Sequence, residues 1–335
     1  MKDGLSIAAT TLKRSGSEIT TANIHTCEIS YLYQIIQSFN PSTLQSFSMR
    51  NFFVKSHGLG NDYLVVNSHD IRFDLSEKNI RTVCDVHYGL GSDGILALVD
   101  SGKADFGLRI LNPDGSEAEK SGNGLRIFAK YLFDHGYTQS DSFSIDTLGG
   151  VVRAEVIEKE NGKARTIRID MGKPVFEAAK VPVKSEQSEC LDEELKLNGK
   201  SYLINCVSVG NPHCVILKNE LLVEEIKQYG SQIENHAKFP NRINVQFAKV
   251  VSPDIVEILI WERGAGYTLA SGSSSSAVAA VMVKKGLTNR KLTIKMPGGE
   301  LQLEIDADWQ IQMTGEVREI ATGHFSPELL DELNR

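Results

Sequence analysis

Short runs rich in β-branched residues recur along most of the chain, alternating apolar with polar positions and bounded by Gly, Asn, Asp or Pro. A period of two predicts half-buried strands. Phe52 to Lys55 is the first strong case. Thr147-Leu148-Gly149-Gly150 and Met296-Pro297-Gly298-Gly299 read as hairpin turns. Each precedes alternating apolar positions, Val152, Ala154, Val156 in one case and Leu301, Leu303, Ile305 in the other. The period changes twice. After Ser121-Gly122-Asn123-Gly124, the residues Leu125, Phe128, Ala129 and Leu132 fall on one helical face, and Gly136 supplies the stop. After Ser271-Gly272-Ser273 a second helix runs through Ala277, Val281 and Val283 to Gly286. It is apolar nearly all round, which predicts burial.

These elements repeat. Gly60-Asn61-Asp62-Tyr63-Leu64-Val65-Val66 is similar to Gly210-Asn211-Pro212-His213-Cys214-Val215-Ile216, at an offset of 211 − 61 = 150. Leu108 to Asn112 and the following Ser121-Gly122 match Ile258 to Glu262 and Ser271-Gly272, again at 271 − 121 = 150. Ser144 to Gly150 matches Thr293 to Gly299 in the same order. Collinear matches at nearly one spacing indicate an internal duplication. The expected fold is α+β: two pseudo-symmetric halves, each a set of mainly antiparallel strands around a central helix. The expected boundaries are 49–172 and 173–320, with a C-terminal segment 321–335.

Residues 1–48 carry none of these motifs and are rich in Ser, Thr and Ile. Their low acid content is mildly like a transit peptide, without its Arg-rich pattern. A mis-assigned start is the plainer expectation, since Met49 directly precedes the first strong strand. The net charge of −7 and the lack of a Lys/Arg cluster argue against nucleic acid or an anionic membrane as partner. Five scattered cysteines without a CxxC pair argue against a zinc ribbon or disulfide framework and fit a reduced cytoplasmic compartment. The dispersed histidines give no metal-ligand spacing, so no metal is expected.

Both helices start with a Ser-Gly step after a Gly-rich loop. A helix N-terminus presents unpaired N–H groups and partial positive charge, a seat for a carboxylate. Pseudo-symmetry would set two such seats against one cleft, with a serine on either face of the ligand's neighbouring carbon. Inverting a stereocentre needs one group to remove a proton and another to return it from the opposite side. The plain alternative is that Ser121 and Ser271 are ordinary N-caps.

Six specific motifs run in collinear order from Phe52 to Phe325. They are Lys55-Ser56-His57-Gly58-Leu59-Gly60-Asn61-Asp62, Gly89-Leu90-Gly91-Ser92-Asp93-Gly94 and Asn112-Pro113-Asp114-Gly115-Ser116-Glu117-Ala118-Glu119. Gly122-Asn123-Gly124-Leu125-Arg126, Gly210-Asn211-Pro212-His213-Cys214 and Glu262-Arg263-Gly264-Ala265-Gly266 follow in order. Together these motifs resemble those of the diaminopimelate epimerase family, and the resemblance implies a cofactor-independent isomerase of lysine and peptidoglycan precursor biosynthesis. It would interconvert LL- and meso-diaminopimelate by two-base proton transfer between pseudo-symmetric halves. By position, the paired acid and base fall on Ser121 and Ser271, with His213 and Glu262 beside them. The reacting carboxylate and amine fall on Gly122, Asn123, Gly272 and Ser273. The distal end of the substrate falls on Asn61, Asn112, Asn211, Asn244 and Arg263, with Glu262 also at the ligand. The implied partner is a small amino acid, and a homodimer is the candidate assembly.

The departures are specific. The family has cysteine where Ser121 and Ser271 stand. A thiol titrates near 8.5 and lower at a helix N-terminus, whereas a serine hydroxyl needs a neighbouring base. Tyr267 replaces a usual Glu, Ser274 to Ser276 replace a run that includes Gly and Cys, and Ser56 replaces Met. An engineered double Cys→Ser change would not need the alterations at Tyr267 and Ser274. A natural paralogue acting as racemase, epimerase or dehydratase on another amino acid is one alternative, with His213 or Glu262 as base. A non-catalytic amino-acid binder is another. A pyridoxal-dependent racemase would need a Schiff-base Lys and a phosphate cup, and neither is evident.

Overall fold

The computed structural model describes residues 50–197 and 199–335, so the expectations for residues 1–48 lie outside the described residues. Strand β1 (Phe52–Gly58) turns through Leu59 and Gly60, both at positive φ, into antiparallel β2 (Asn61–Asn67). Helix α1 (Glu77–Cys84) leads to β3 (Ile95–Val99), β4 (Phe106–Leu111) and the short β5 (Glu117–Ala118). Helix α2 (Gly122–Asp134) then precedes β6 (Ser142–Thr147), β7 (Gly150–Glu160) and β8 (Lys163–Gly172).

After β9 (Glu193–Leu197) the order repeats: β10 (Lys200–Ser208), β11 (Pro212–Leu217), α3 (Val223–Glu234), β12 (Asn244–Ser252) and β13 (Ile255–Glu262). Then follow β14 (Gly266–Thr268), α4 (Gly272–Lys284), β15 (Lys291–Met296), β16 (Gly299–Ile305) and β17 (Ile311–Glu316). The chain ends in β18 (Arg318–His324) and α5 (Pro327–Leu333).

The duplication extends to the pairing rules. β2 runs parallel to β3 as β11 does to β12, and β4 parallel to β6 as β13 does to β15. The other pairings are antiparallel, and β8 joins β17 edge to edge between the halves. All the described strands belong to one 18-stranded sheet. β9 covers the edge of β10, whereas β1 is covered by β18 from the far end of the chain. Phe325 and Leu333 follow it into a cluster with Phe53, Leu64 and Phe73.

The two expected hairpins form, with Thr147 opposite Gly150 and Met296 opposite Gly299. Val152, Ala154, Val156, Leu301, Leu303 and Ile305 are all buried. Two helical expectations need correction. The N-caps are Ser121 and Ser271 themselves, so α2 starts at Gly122 rather than after Gly124, and α4 at Gly272 rather than after Ser273. One apolar face was expected for α2, yet every residue from Gly122 to Leu132 is buried, Arg126 and Lys130 included. Lys130 meets Asp134 at 2.6 Å, which lets the charge enter the core. Helix α4 is buried as expected.

Among the described residues no helix is long and apolar enough to cross a membrane. No group of three or more His, Cys, Asp or Glu is placed to hold a metal ion.

Candidate active site

Two extended residues end the loops that enter the buried helices, Ser121 at φ −134°, ψ 116° and Ser271 at φ −151°, ψ 123°. Each turns its hydroxyl back over the first turn. Ser121 Oγ accepts from the Gly124 N–H at 3.1 Å and Ser271 Oγ from the Ser274 N–H at 3.4 Å. Both are therefore N-caps. The next residues bring the halves together. A Cβ built on Gly122 would lie 3.1 Å from the Gly272 Cα, and one on Gly272 would lie 3.0 Å from the Gly122 Cα. Neither glycine has positive φ, so close approach and not backbone conformation demands them. Met313 from β17 fills the space beside the seam against both glycines. Two helix N-termini, each with unpaired N–H groups and partial positive charge, thus abut at one place.

On the first-half side, Asn61 and Asn123 are linked, Asn123 Nδ2 donating to Asn61 Oδ1 at 3.1 Å. The same Asn123 group donates across the seam to the Ala270 carbonyl at 3.3 Å. Asn61 Nδ2 donates to Asp93 at 2.7 Å. On the second-half side, Asn211 Nδ2 donates to Ser273 Oγ at 3.4 Å, and Ser273 Oγ lies 3.5 Å from Ser271 Oγ. His213 is fully buried, with Nε2 2.8 Å from Asn211 Oδ1 and Nδ1 without a partner. Burial pushes its pKa down to about 3, with Arg263 acting the same way, so the ring is neutral and donates through Nε2.

Asn244 begins β12, donates to the Pro212 carbonyl at 2.9 Å and accepts from the Arg263 N–H at 3.0 Å. Arg263 bonds the Asn241 carbonyl at 3.2 Å. Glu262 closes β13 and accepts from Thr268 at 2.8 Å. Burial raises its carboxyl above the usual carboxylate range, and Asp93 pushes the same way. Glu262 also acts on Tyr63 and so faces the first-half side although it belongs to the second. Asn112 is bonded within its own loop, to Ser116 at 2.9 Å, and among the described residues no side-chain hydrogen bond ties it to the other expected ligands.

Sequence reasoning missed Tyr63. Its hydroxyl lies 3.4 Å from Ser121 Oγ and its ring is buried. Burial pushes its pKa up to about 12, so it is neutral near pH 7. The signal was present, because the offset of 150 pairs Tyr63 with His213. Gln246 was missed as well. It donates to Ser274 Oγ at 3.0 Å and acts on His213 from the adjacent strand.

Comparison with known proteins adds a lineage to this geometry. The profile of the diaminopimelate epimerase family matches residues 53–177 and 205–320. The chain is 48% identical over 278 residues to "Diaminopimelate epimerase 2" of Nostoc sp., covering 83% of this chain and 96% of that one. It is 41% identical over 273 residues to a diaminopimelate epimerase of Caldanaerobacter subterraneus, covering 82% and 98%. Among solved structures, a hydroxyproline epimerase from Agrobacterium vitis aligns with a TM-score of 0.61 at 14% identity, over 83% of this chain and 93% of that one. At that identity the likeness concerns the fold alone. The repeat, the paired helix starts and the family match converge: this chain belongs to the diaminopimelate epimerase family.

Proposed function

We propose that the protein is a cofactor-independent amino-acid isomerase that epimerises diaminopimelate between its LL and meso forms. The observation that carries this reading is the abutment of two helix N-termini at Gly122 and Gly272, each capped by a serine. A carboxylate seated on the free N–H groups would place its α-carbon between Ser121 and Ser271. The same N–H groups would hold the enolate-like charge that develops when the α-proton leaves. Gly122, Asn123, Gly272 and Ser273 would surround the reacting carboxylate and amine. Asn61, Asn112, Asn211, Asn244 and Arg263 would hold the distal end.

A serine hydroxyl is too weak an acid to work alone. On the first-half side Glu262 is the better base, since its raised carboxyl has more affinity for a proton. Tyr63 would connect it to Ser121. His213, held neutral, is neither a strong base nor a proton source at pH 7, and its part is to orient Asn211 and through it Ser273. We assign the halves to residues 49–172 and 173–320, and the ligand to the junction between them.

The serines at both helix starts favour a second reading, in which the protein binds the amino acid without turning it over. Incubation with meso-diaminopimelate in deuterated water, followed by mass measurement, separates the two. Slow α-deuterium uptake that rises in the S121C/S271C double variant supports the epimerase. Binding without uptake in either protein supports the binder, and absence of binding removes both.

A further inference from the structure

Arg126 is fully buried at the start of α2, and among the described residues no carboxylate lies within ion-pair distance of it. Its hydrogen-bond partners among the described residues are all neutral. Nη1 donates to the Gly122 carbonyl at 3.3 Å and to Met313 Sδ at 3.5 Å, Nη2 donates to Asn123 Oδ1 at 2.9 Å, and Nε has no partner. Burial pulls its pKa down only to about 10, so the group stays charged near neutrality. An uncompensated buried cation opposes folding unless something else requires it.

We propose that Arg126 is a positioning residue of the site: a guanidinium left without an anion behind the abutting helix starts, whose charge is completed by the carboxylate of the bound amino acid and whose donors fix the orientation of Asn123 and Asn61. This rests on the reading of the site given above.

Three observations carry it. First, place: Met313, which Arg126 touches, is the side chain wedged against both Gly122 and Gly272. The charge therefore stands one side chain behind the seam, and adds to the two helix dipoles rather than opposing them. Second, direction: a guanidinium only donates, so Asn123 must turn its oxygen toward it. Its amide nitrogen is thereby committed to Asn61 Oδ1 and the Ala270 carbonyl, and Asn61 in turn must point its own nitrogen at Asp93. Third, the duplicated half shows what the helix itself requires. Ser276 matches Arg126 at the offset of 150 and donates to the Gly272 carbonyl at 2.9 Å, as Arg126 does to Gly122. The backbone bond is kept without the charge, so the charge serves something other than the helix.

The test is calorimetry and thermal melting of wild type, R126M and R126K, with meso- and LL-diaminopimelate as probes. The expected result is an R126M protein that melts no lower than wild type when free, binds at least about tenfold more weakly, and loses most of the ligand-induced rise in Tm. R126K, which keeps the charge without the fork, recovers part of the affinity. An R126M protein that binds as wild type does, that fails to fold, or that melts lower when free overturns the inference while leaving the substrate reading intact. A wild-type protein that binds neither isomer overturns the substrate reading, and the inference with it.

Discussion

Gly272→Ala puts the seam under direct test. The added methyl would stand 2.8 Å from Met313 Sδ and 3.0 Å from the Gly122 Cα. Carbon atoms rest at roughly 3.5–4.0 Å, so the contact with backbone falls short by at least about half an ångström. Met313 is flexible and can turn aside. The Gly122 Cα belongs to a helix buried from Gly122 to Leu132 and can yield only if that helix shifts. Overpacking of this kind costs about 1–3 kcal/mol. Alanine returns up to about 1 kcal/mol of helix propensity. The net expectation is a loss of about 1–2 kcal/mol, a Tm lower by several degrees at about 2–4 °C per kcal/mol.

Function should suffer more than stability. A misplacement of about 1 Å costs on the order of a hundredfold in rate, so half of that should cost roughly tenfold in α-deuterium exchange or ligand affinity. Gly136→Ala is the control. It sits at φ +77° with open space around it, so it should lose about 1–2 kcal/mol through backbone strain and leave exchange untouched. A Gly272→Ala protein with unchanged Tm and unchanged exchange would refute the claim that the helix starts are packed to contact.

Exchange should rise with pH through the raised titration of Glu262, because only the ionised carboxyl accepts a proton; the rise should vanish in Glu262→Gln, and a limb that survives removes Glu262 as the base. The same group makes the native state hold its proton to higher pH than the unfolded chain, so ionisation of Glu262 lowers stability between its ordinary and its raised pKa, and urea titrations of Glu262→Gln should lack that decline. His213 behaves oppositely. With a folded pKa near 3 against an unfolded value of about 6.5, its contribution to stability should climb with pH between those values by up to about 1.4 kcal/mol per unit and then level off. An unchanged slope in His213→Gln would show the ring to be hydrated. Tyr63→Phe removes the hydroxyl facing Ser121 and should lower exchange by up to about tenfold while stability moves by about 1 kcal/mol or less; full exchange in that variant leaves Tyr63 as packing only.

Much of this is legible in the sequence. The duplication was visible because each half must carry the same turns to pair its strands the same way, so Leu148-Gly149 and Pro297-Gly298 announce equivalent hairpins. Three helices escaped for different reasons. Helix α5 carried a readable signal, a Ser326 cap followed by Pro327, but too few residues to show a period. Helix α1 is similarly short, although Ser76 caps it and Ile80, Val83 and Cys84 line its buried side. Helix α3 starts at Leu222 with no side-chain cap, so nothing local marks its beginning. The burial of Arg126 was not legible, since a charged residue among apolar helical positions ordinarily marks the solvent face. Tyr63 could have been found by applying the offset of 150 to His213, and it was hidden because the two residue types differ.

The pairing of β1 with β18 has a consequence for biogenesis. The first of the described strands waits for the last, and roughly 150 residues separate the end of β8 from the start of β18. At ribosomal rates of about 5–20 residues per second, that is on the order of 10–30 s during which the nascent amino-terminal half exposes an unpaired edge. Trimming the carboxyl terminus would therefore injure the half translated earliest, and a chaperone that shields that edge during synthesis would gain most by binding there.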